Sequence, residues 1–348
     1  MKYTGYIGTY TKKDSKGIYS FSLDTDEAKL TDVKLAAEIG GPTYLKITDD
    51  KKYLYSIAKD EGQGGVASYA IDQNTGGLTF LNQQLADGPN PCHVNTDSAR
   101  RFLFSANYHK GTVDSYLLNE EDGTISPAVS TIQHTGSGPD HRQEKAHVHY
   151  AGMTPDEKYL ITVDLGSDLL VTYTVSEQGE LAEAHRLEIP GGSGPRHLTF
   201  HPKRENIAYI MTEFSSEIIV LNYDSSNGSF SIMQSIGAIP DDFTENNQGS
   251  AIHITSDGKF VYAGNRGHNS IAVFRVDDES GKLTFVENTS TEGDWPRDFV
   301  LDPSEKFLIA ANQETNNLVL FSRDAETGKL KLLQSDINAP EPICLKFL

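Results

Sequence analysis

Cysteine is almost absent from this sequence. Cys92 and Cys344 are the only two, neither sits in a C-x-x-C arrangement, and together they cannot make a disulfide framework. Both read as small buried hydrophobes. Basic residues are also scarce, with 30 Lys plus Arg against 49 Asp plus Glu in 348 residues and a net charge of −19. Sequence-independent binding to nucleic acid or an anionic membrane surface needs clustered cations to neutralise phosphates, so both kinds of partner are set aside. No run approaches the roughly 20 apolar residues of a membrane-spanning helix. The opening MKYTGYIGTYTKK lacks the apolar core of a secretory signal, which predicts a cytoplasmic protein. No long amphipathic helical pattern occurs anywhere. What the chain does have is 37% hydrophobic and 9% aromatic content, ample for a packed core.

The apolar residues fall into a repeat with a period of roughly 40–50 residues. The segments PTYLKITDDKKYLYSIAKD, PCHVNTDSARRFLFSANYH, VHYAGMTPDEKYLITVDLG, PRHLTFHPKRENIAYIMTEF, GSAIHITSDGKFVYAGNRG and PRDFVLDPSEKFLIAANQE begin at Pro42, Pro91, Val148, Pro195, Gly249 and Pro296. Each reads as an apolar strand, a polar turn and a second apolar strand. A third alternating run follows, such as VASYAID or IAVFRVD, then a turn rich in Gly, Asn, Asp and Ser, and usually a weaker fourth strand such as GLTFLNQQL. Period-two alternation between such turns is the hairpin signature, so each unit predicts four antiparallel strands. The C-terminal PICLKFL matches the first strand of a unit, while the N-terminal YTGYIGTYT, GIYSFSLD and LTDVKLAAEI match the other three. The two ends therefore make one composite unit, and the count is seven. Four-stranded units repeated radially are an all-β seven-bladed β-propeller, closed by pairing of the N- and C-terminal segments in one blade. Residues 1–348 read as a single domain.

In an antiparallel blade, the start of the innermost strand and the end of the second strand lie at the same channel mouth. The first set includes Cys92, His149, Arg196 and Arg297, followed one residue on by His93 and His197; the second includes Lys59, Glu213 and Arg266. Only ten arginines occur in the chain, and Arg196, Arg266 and Arg297 all fall in this small set. Guanidinium forks pair with carboxylate or phosphate oxygens bidentately, so the mouth is suited to a small anion. Successive units start 49, 57, 47, 54, 47 and 46 residues apart. Two units therefore carry insertions, near 134–146 and 237–249, and both overhang the same rim, either as a partial lid or as tolerated surface loops.

Other signals carry less. His147 and His149 form an H-x-H pair on a predicted strand, which presents both side chains to one face, but no third ligand follows at a metal-binding spacing. No metal or cofactor is assigned. The Gly-rich stretches open no helix, there is no G-x-S-x-G elbow, and no Ser or Cys stands beside an evident base. Water attack or simple binding remains.

The motifs GYIGTYT, VDLGSD, GSGPRHLTFHP, TEF, GNRGHNSIAVF and WPRDFVLDPSEKFLIAANQ, spread over essentially the whole chain, resemble those of the bacterial seven-bladed lactonases related to 6-phosphogluconolactonase. That family also includes fungal enzymes that lactonise carboxymuconate, in which a His, two Arg and a Glu around the channel are catalytic. The resemblance implies that His149, Arg196, Glu213 and Arg266 fill those places here. It further implies hydrolysis of 6-phospho-D-glucono-1,5-lactone in the pentose phosphate route, without a cofactor. Such hydrolysis needs a general base for water and a positive pocket for the developing oxyanion. His149 or Glu213 can be the base, and Arg196 with Arg266 can hold the oxyanion. Arg297 is then free for the phosphate, with Lys59, His93, His147 and His197 as further substrate contacts. The partner expected is a small anionic sugar lactone, and the chain itself a monomer or weak homo-oligomer. Two other readings use the same fold: a carboxymuconate-type cyclase using the arginines for carboxylates, and a non-catalytic protein-docking propeller. The second is disfavoured by a single tryptophan, Trp295, and the lack of Trp-Asp repeats.

Overall fold

In the computed structural model, which describes residues 1–348, the chain forms 28 strands and no helix. The strands group into seven four-stranded antiparallel sheets, each a meander ordered as in the sequence except one. In that one, Pro342–Phe347 lies beside Lys2–Thr9, followed by Gly17–Asp24 and Lys29–Glu38. The C-terminal strand pairs from Gly5 with Phe347 to Thr9 with Pro342, so the ends of the chain share a blade. Blades one to six start at Leu45, His93, Val148, Pro195, Gln248 and Pro296; the composite blade is the seventh.

The local chemistry of the repeat explains its turns. In the first hairpin of blade one, Thr48 Oγ1 donates to Asp50 at 2.7 Å and accepts from the Tyr53 amide at 3.1 Å. Thr154 with Asp156 and Thr255 with Asp257 do the same in blades three and five. These are side-chain turns in which Asp and Thr take the place of backbone partners. The outer hairpins are bound to their neighbours by tyrosines. Tyr6, Tyr55, Tyr209 and Tyr262 each donate from the phenol to the carbonyl of a turn glycine in the next blade, Gly76, Gly123, Gly281 and Gly328 respectively.

There is no central core. Seven hydrophobic clusters form, one at each junction between adjacent blades. At the closure, Ile7, Phe21 and Leu345 pack on Ile309 and Leu318 of blade six. Sandwiching between neighbours buries both faces of the middle strands, so Tyr53–Ala58 and Phe307–Asn312 are buried at every residue. The third strands, expected to alternate, are mostly buried on both faces for the same reason. The fourth strands are the weak ones in sequence, yet they run eight to ten residues. One face and one edge of each meet solvent, so they need few apolar residues.

Candidate functional site

The innermost strands are irregular where they reach one mouth of the channel. Register slips by one residue between Val148 and Tyr150, between Pro195 and His197, and between Pro296 and Asp298. The extra residues are His149, Arg196 and Arg297. A bulge bends the strand and re-aims the side chain it carries, here into a cavity of about 640 Å³ at the channel mouth. Glu213 and Arg266 enter from the ends of second strands, and Lys59, Tyr10 and Tyr108 complete the same rim.

Glu213 is the centre of the polar network. Its Oε2 accepts from Arg196 Nε at 3.1 Å and from Arg266 Nη2 at 2.6 Å. With the Gln248 amide oriented oxygen toward Arg142, its nitrogen donates to Glu213 Oε1 at 3.1 Å. Burial works to raise the Glu213 pKa, but the charges of Arg266, Arg196 and Arg297 outweigh it, and the carboxyl is held below its ordinary value. Arg196 also donates to the Ser250 carbonyl at 2.8 Å, and Arg266 to that of Gly249 at 2.7 Å. Burial, with Arg266 and Arg297 nearby, pushes Arg196 down to about 9, which leaves it charged at neutral pH. Arg266 lies 5.6 Å from the Trp295 ring.

His149 stands apart from this clamp. Its Nδ1 is buried without a partner, and its pKa is lowered well below the ordinary value by burial and then by Arg196, Arg297 and Arg266. Burial and that positive field hold the imidazole in its neutral form, in which one ring nitrogen keeps a lone pair. Arg297 differs again. It makes no ion pair and lies over the Tyr10 ring, 5.3 Å from its centroid, whereas Arg196 and Arg266 are both committed to Glu213. Five cationic side chains line the cavity (Lys12, Lys59, Arg196, Arg266, Arg297) against two carboxylates, Glu213 and Asp298. In a chain of net charge −19, that local excess is a built feature. Asp298 itself is engaged by the Leu345 amide at 2.8 Å and by His253 at 3.6 Å.

Of the residues singled out in the sequence, His149, Arg196, Glu213, Arg266, Arg297, His197 and Lys59 line this one cavity; His93 and His147 do not. His147 and His149 both lie beside the Tyr108 ring, with centroids 4.1 and 6.0 Å from it, but only His149 reaches the cavity. His147 stacks on Tyr108 with centroids 4.1 Å apart, shares a hydrogen bond with the Tyr108 carbonyl and faces Glu144. It supports the cavity wall from behind. His93 lies further along the channel among Tyr44, Tyr150 and His197 and lines a different cavity. No group of three or more His, Cys, Asp or Glu side chains is placed to hold a metal ion.

The structure adds residues that spacing did not reveal. The 134–146 insertion is pinned to blade three by His134 on Asp164 at 3.1 Å and Gln143 on the Leu165 carbonyl at 2.8 Å. It thereby delivers Arg142, whose guanidinium lies 3.8 Å from the Phe214 ring centroid and 3.9 Å from Glu213 Oε1. Trp295 lines the cavity in a left-handed backbone conformation with φ of 65°, unusual for a bulky side chain. Only the unusual length of the insertion hinted at Arg142, and only the lone tryptophan before Pro296 hinted at Trp295.

A propeller whose channel mouth joins surplus guanidinium charge to a clamped carboxylate and a neutral imidazole has the make-up of an anion pocket beside an acid–base group. The chain belongs to the lactonase family of seven-bladed β-propellers, whose description matches residues 4–347. It is 56% identical to the 6-phosphogluconolactonase of Bacillus subtilis strain 168 over 347 residues, covering 100% of this chain and 99% of that one. Among solved structures, a Lactobacillus plantarum protein superimposes with a TM-score of 0.96 at 43% identity, covering 100% of both chains. The periplasmic gluconolactonase of Pseudomonas aeruginosa gives a TM-score of 0.94 at 32% identity, covering 100% of this chain and 99% of that one.

Proposed function

We infer that this protein hydrolyses 6-phospho-D-glucono-1,5-lactone to 6-phosphogluconate. The observation that carries the reading, beyond family membership, is Arg297: a guanidinium in the cavity wall that the protein leaves without an ion pair. A substrate phosphate is the partner that charge calls for. Lys59 and Lys12, at the same rim, add to the field that holds it.

The chemistry is assigned as follows. Neutral His149 accepts a proton from a water molecule as that water attacks the lactone carbonyl carbon. The oxyanion that develops is stabilised by the Arg196–Arg266 pair, whose forks Glu213 holds in place. The bond from the carbonyl carbon to the ring oxygen then breaks, and the protonated His149 returns its proton to that oxygen, giving the open-chain acid and its hydroxyl. Glu213 is a poor base because both its oxygens are occupied. Its role is to fix the arginines. Binding a phosphate dianion beside Arg297 offsets part of the positive field that depresses His149, so the substrate itself makes the base stronger. A phosphorylated lactone does not cross membranes unaided, so the enzyme is assigned to the cytoplasm.

The test is acid release in a pH-stat from freshly prepared phosphogluconolactone, corrected for spontaneous opening, with plain gluconolactone as comparison. Arg297→Ala is expected to lower kcat/KM for the phosphorylated lactone by about 10- to 150-fold more than for the plain one. That range follows from roughly 1.5–3 kcal/mol for a charge-assisted hydrogen bond at about 1.4 kcal/mol per decade. Equal losses on both substrates would remove Arg297 as the phosphate anchor, and no release above the blank would remove the hydrolase reading.

A further inference from the structure

A second cavity, of about 470 Å³, opens at the other end of the channel. Each innermost strand runs away from the site just described, and period-two alternation points its later residues into this opening. Lys46, Asn95, Thr199, His253 and Lys346 line it, each from a different blade, with His93 and His197 at its inner end. No Asp or Glu is among its lining residues. In a protein with 49 acidic residues, a channel mouth walled by two lysines and three histidines calls for an explanation.

A purely structural explanation would have Lys346 neutralise Asp298. The geometry argues against it. The Asp298 oxygens are taken by the Leu345 amide and by His253, and Lys346 makes no ion pair. Its ammonium instead lies over the Tyr44 ring, 4.8 Å from the centroid. Lys46, itself partly buried, pairs only with the exposed Asp49, at 3.5 Å, and such a partner is worth little in water. Lys346 and Asp298 favour each other's charged forms at longer range, but neither lysine of the cavity is held in a direct buried ion pair. Around them, the Asn95 amide, the Thr199 hydroxyl and the imidazoles offer hydrogen bonds to oxygen atoms. His253 is already oriented by Asp298.

We propose that this second mouth is a binding site for a phosphate-type dianion, separate from the catalytic cavity and centred on Lys346, Lys46 and His253. Two ammonium charges match a dianion, and Lys recognises phosphate as a point charge where no guanidinium fork is present. The inner wall is His197, which lines both cavities, so the two sites sit back to back along one channel.

The test is a selenate soak of crystals of the full-length protein, with the anion located by the anomalous signal of selenium. Two peaks are expected, one beside Arg297 and one between Lys346 and His253. Lys346→Met should abolish the second and keep the first, which also reports that the variant is folded. In solution, the Arg297→Ala protein labelled with ¹⁵N-histidine should show a saturable shift of the His253 resonance on titration with inorganic phosphate. That affinity should fall about 10-fold or more when Lys346→Met is added. A selenate peak beside Arg297 alone would overturn the proposal. So would a second peak that survives Lys346→Met, or a His253 resonance that phosphate does not move.

Discussion

At the scale of single residues, the site rests on groups held in their less usual protonation balance. His93, His149 and His197 are all buried, and all have pKa values lowered well below the ordinary 6.5, burial being the largest cause in each. For catalysis, the proton-accepting form of His149 persists below pH 6.5, so the acid limb of kcat/KM is expected below that value; a limb at or above pH 6.5 would contradict the assignment of His149. His149→Ala should cut turnover by about 10²–10⁴-fold, the range for losing a general base. Glu213→Gln should cut it too, by misplacing two arginines, yet keep the same acid limb because the base is unchanged. A shifted limb in Glu213→Gln would make the carboxylate the base after all. The same three histidines set the acid stability. Below pH 6.5 the unfolded chain protonates them and the folded chain does not, so the unfolded state binds more protons and stability falls with falling pH. Glu213 and Asp298, whose pKa values are lowered, add a further loss at lower pH, as they become protonated. Urea midpoints at pH 7.5 and 5.5 check the first part, and similar midpoints would mean that the histidines titrate normally.

At the scale of the element, the outer hairpin shows how the repeat is maintained and where it lapses. The turn glycine sits at positive φ in six blades: Gly76, Gly123, Gly179, Gly228, Gly281 and Gly328, between 68° and 83°. The seventh, in the composite blade, is Ala28 at 51°. A side chain in that region costs roughly 1–2 kcal/mol, while replacing it with glycine costs about 0.4–1 kcal/mol in unfolded-state entropy. Ala28→Gly should therefore stabilise the protein by about 0.5–1 kcal/mol, read from the denaturant midpoint at unchanged slope. Gly123→Ala should destabilise it by more than the conformational cost, because a Cβ there runs into the Tyr53 ring of blade one. If the two changes have the same sign, the turn does not have the conformation described. The channel-mouth bulges are the other element-scale device. Their strands read as ordinary alternation in sequence, and the extra residue appears only when each is paired with its neighbour.

At the scale of the whole molecule, stability is a ring property, since seven junctions share the apolar burial and none is a centre. The closing blade is held by five paired positions between Lys2–Thr9 and Pro342–Phe347 and by Glu341. Its carboxylate accepts from the amides of Lys12 at 3.0 Å, Lys13 at 2.9 Å and Ser15 at 3.4 Å. Deleting residues 342–348 should remove the innermost strand, open a sheet edge and strip Leu345 from its junction. A large drop in melting temperature is expected, and a truncated chain that melts with the full-length protein would sink the closure argument.

The sequence by itself determined the blade count, the shared blade and the rim on which His149, Arg196, Glu213, Arg266 and Arg297 meet. Those follow from period and strand direction, which repeat often enough to be read one-dimensionally. It could not rank His149 against Glu213 as base, because basicity here depends on which oxygens and nitrogens are already occupied. It grouped His93 and His147 with the site because position along a strand is not direction. His147 stacks on Tyr108, and His93 packs among Tyr44, Tyr150 and His197 further along the channel. Arg142 and the second channel mouth arise from chain segments far apart in sequence, brought together only when the ring closes, so tertiary structure alone decided them.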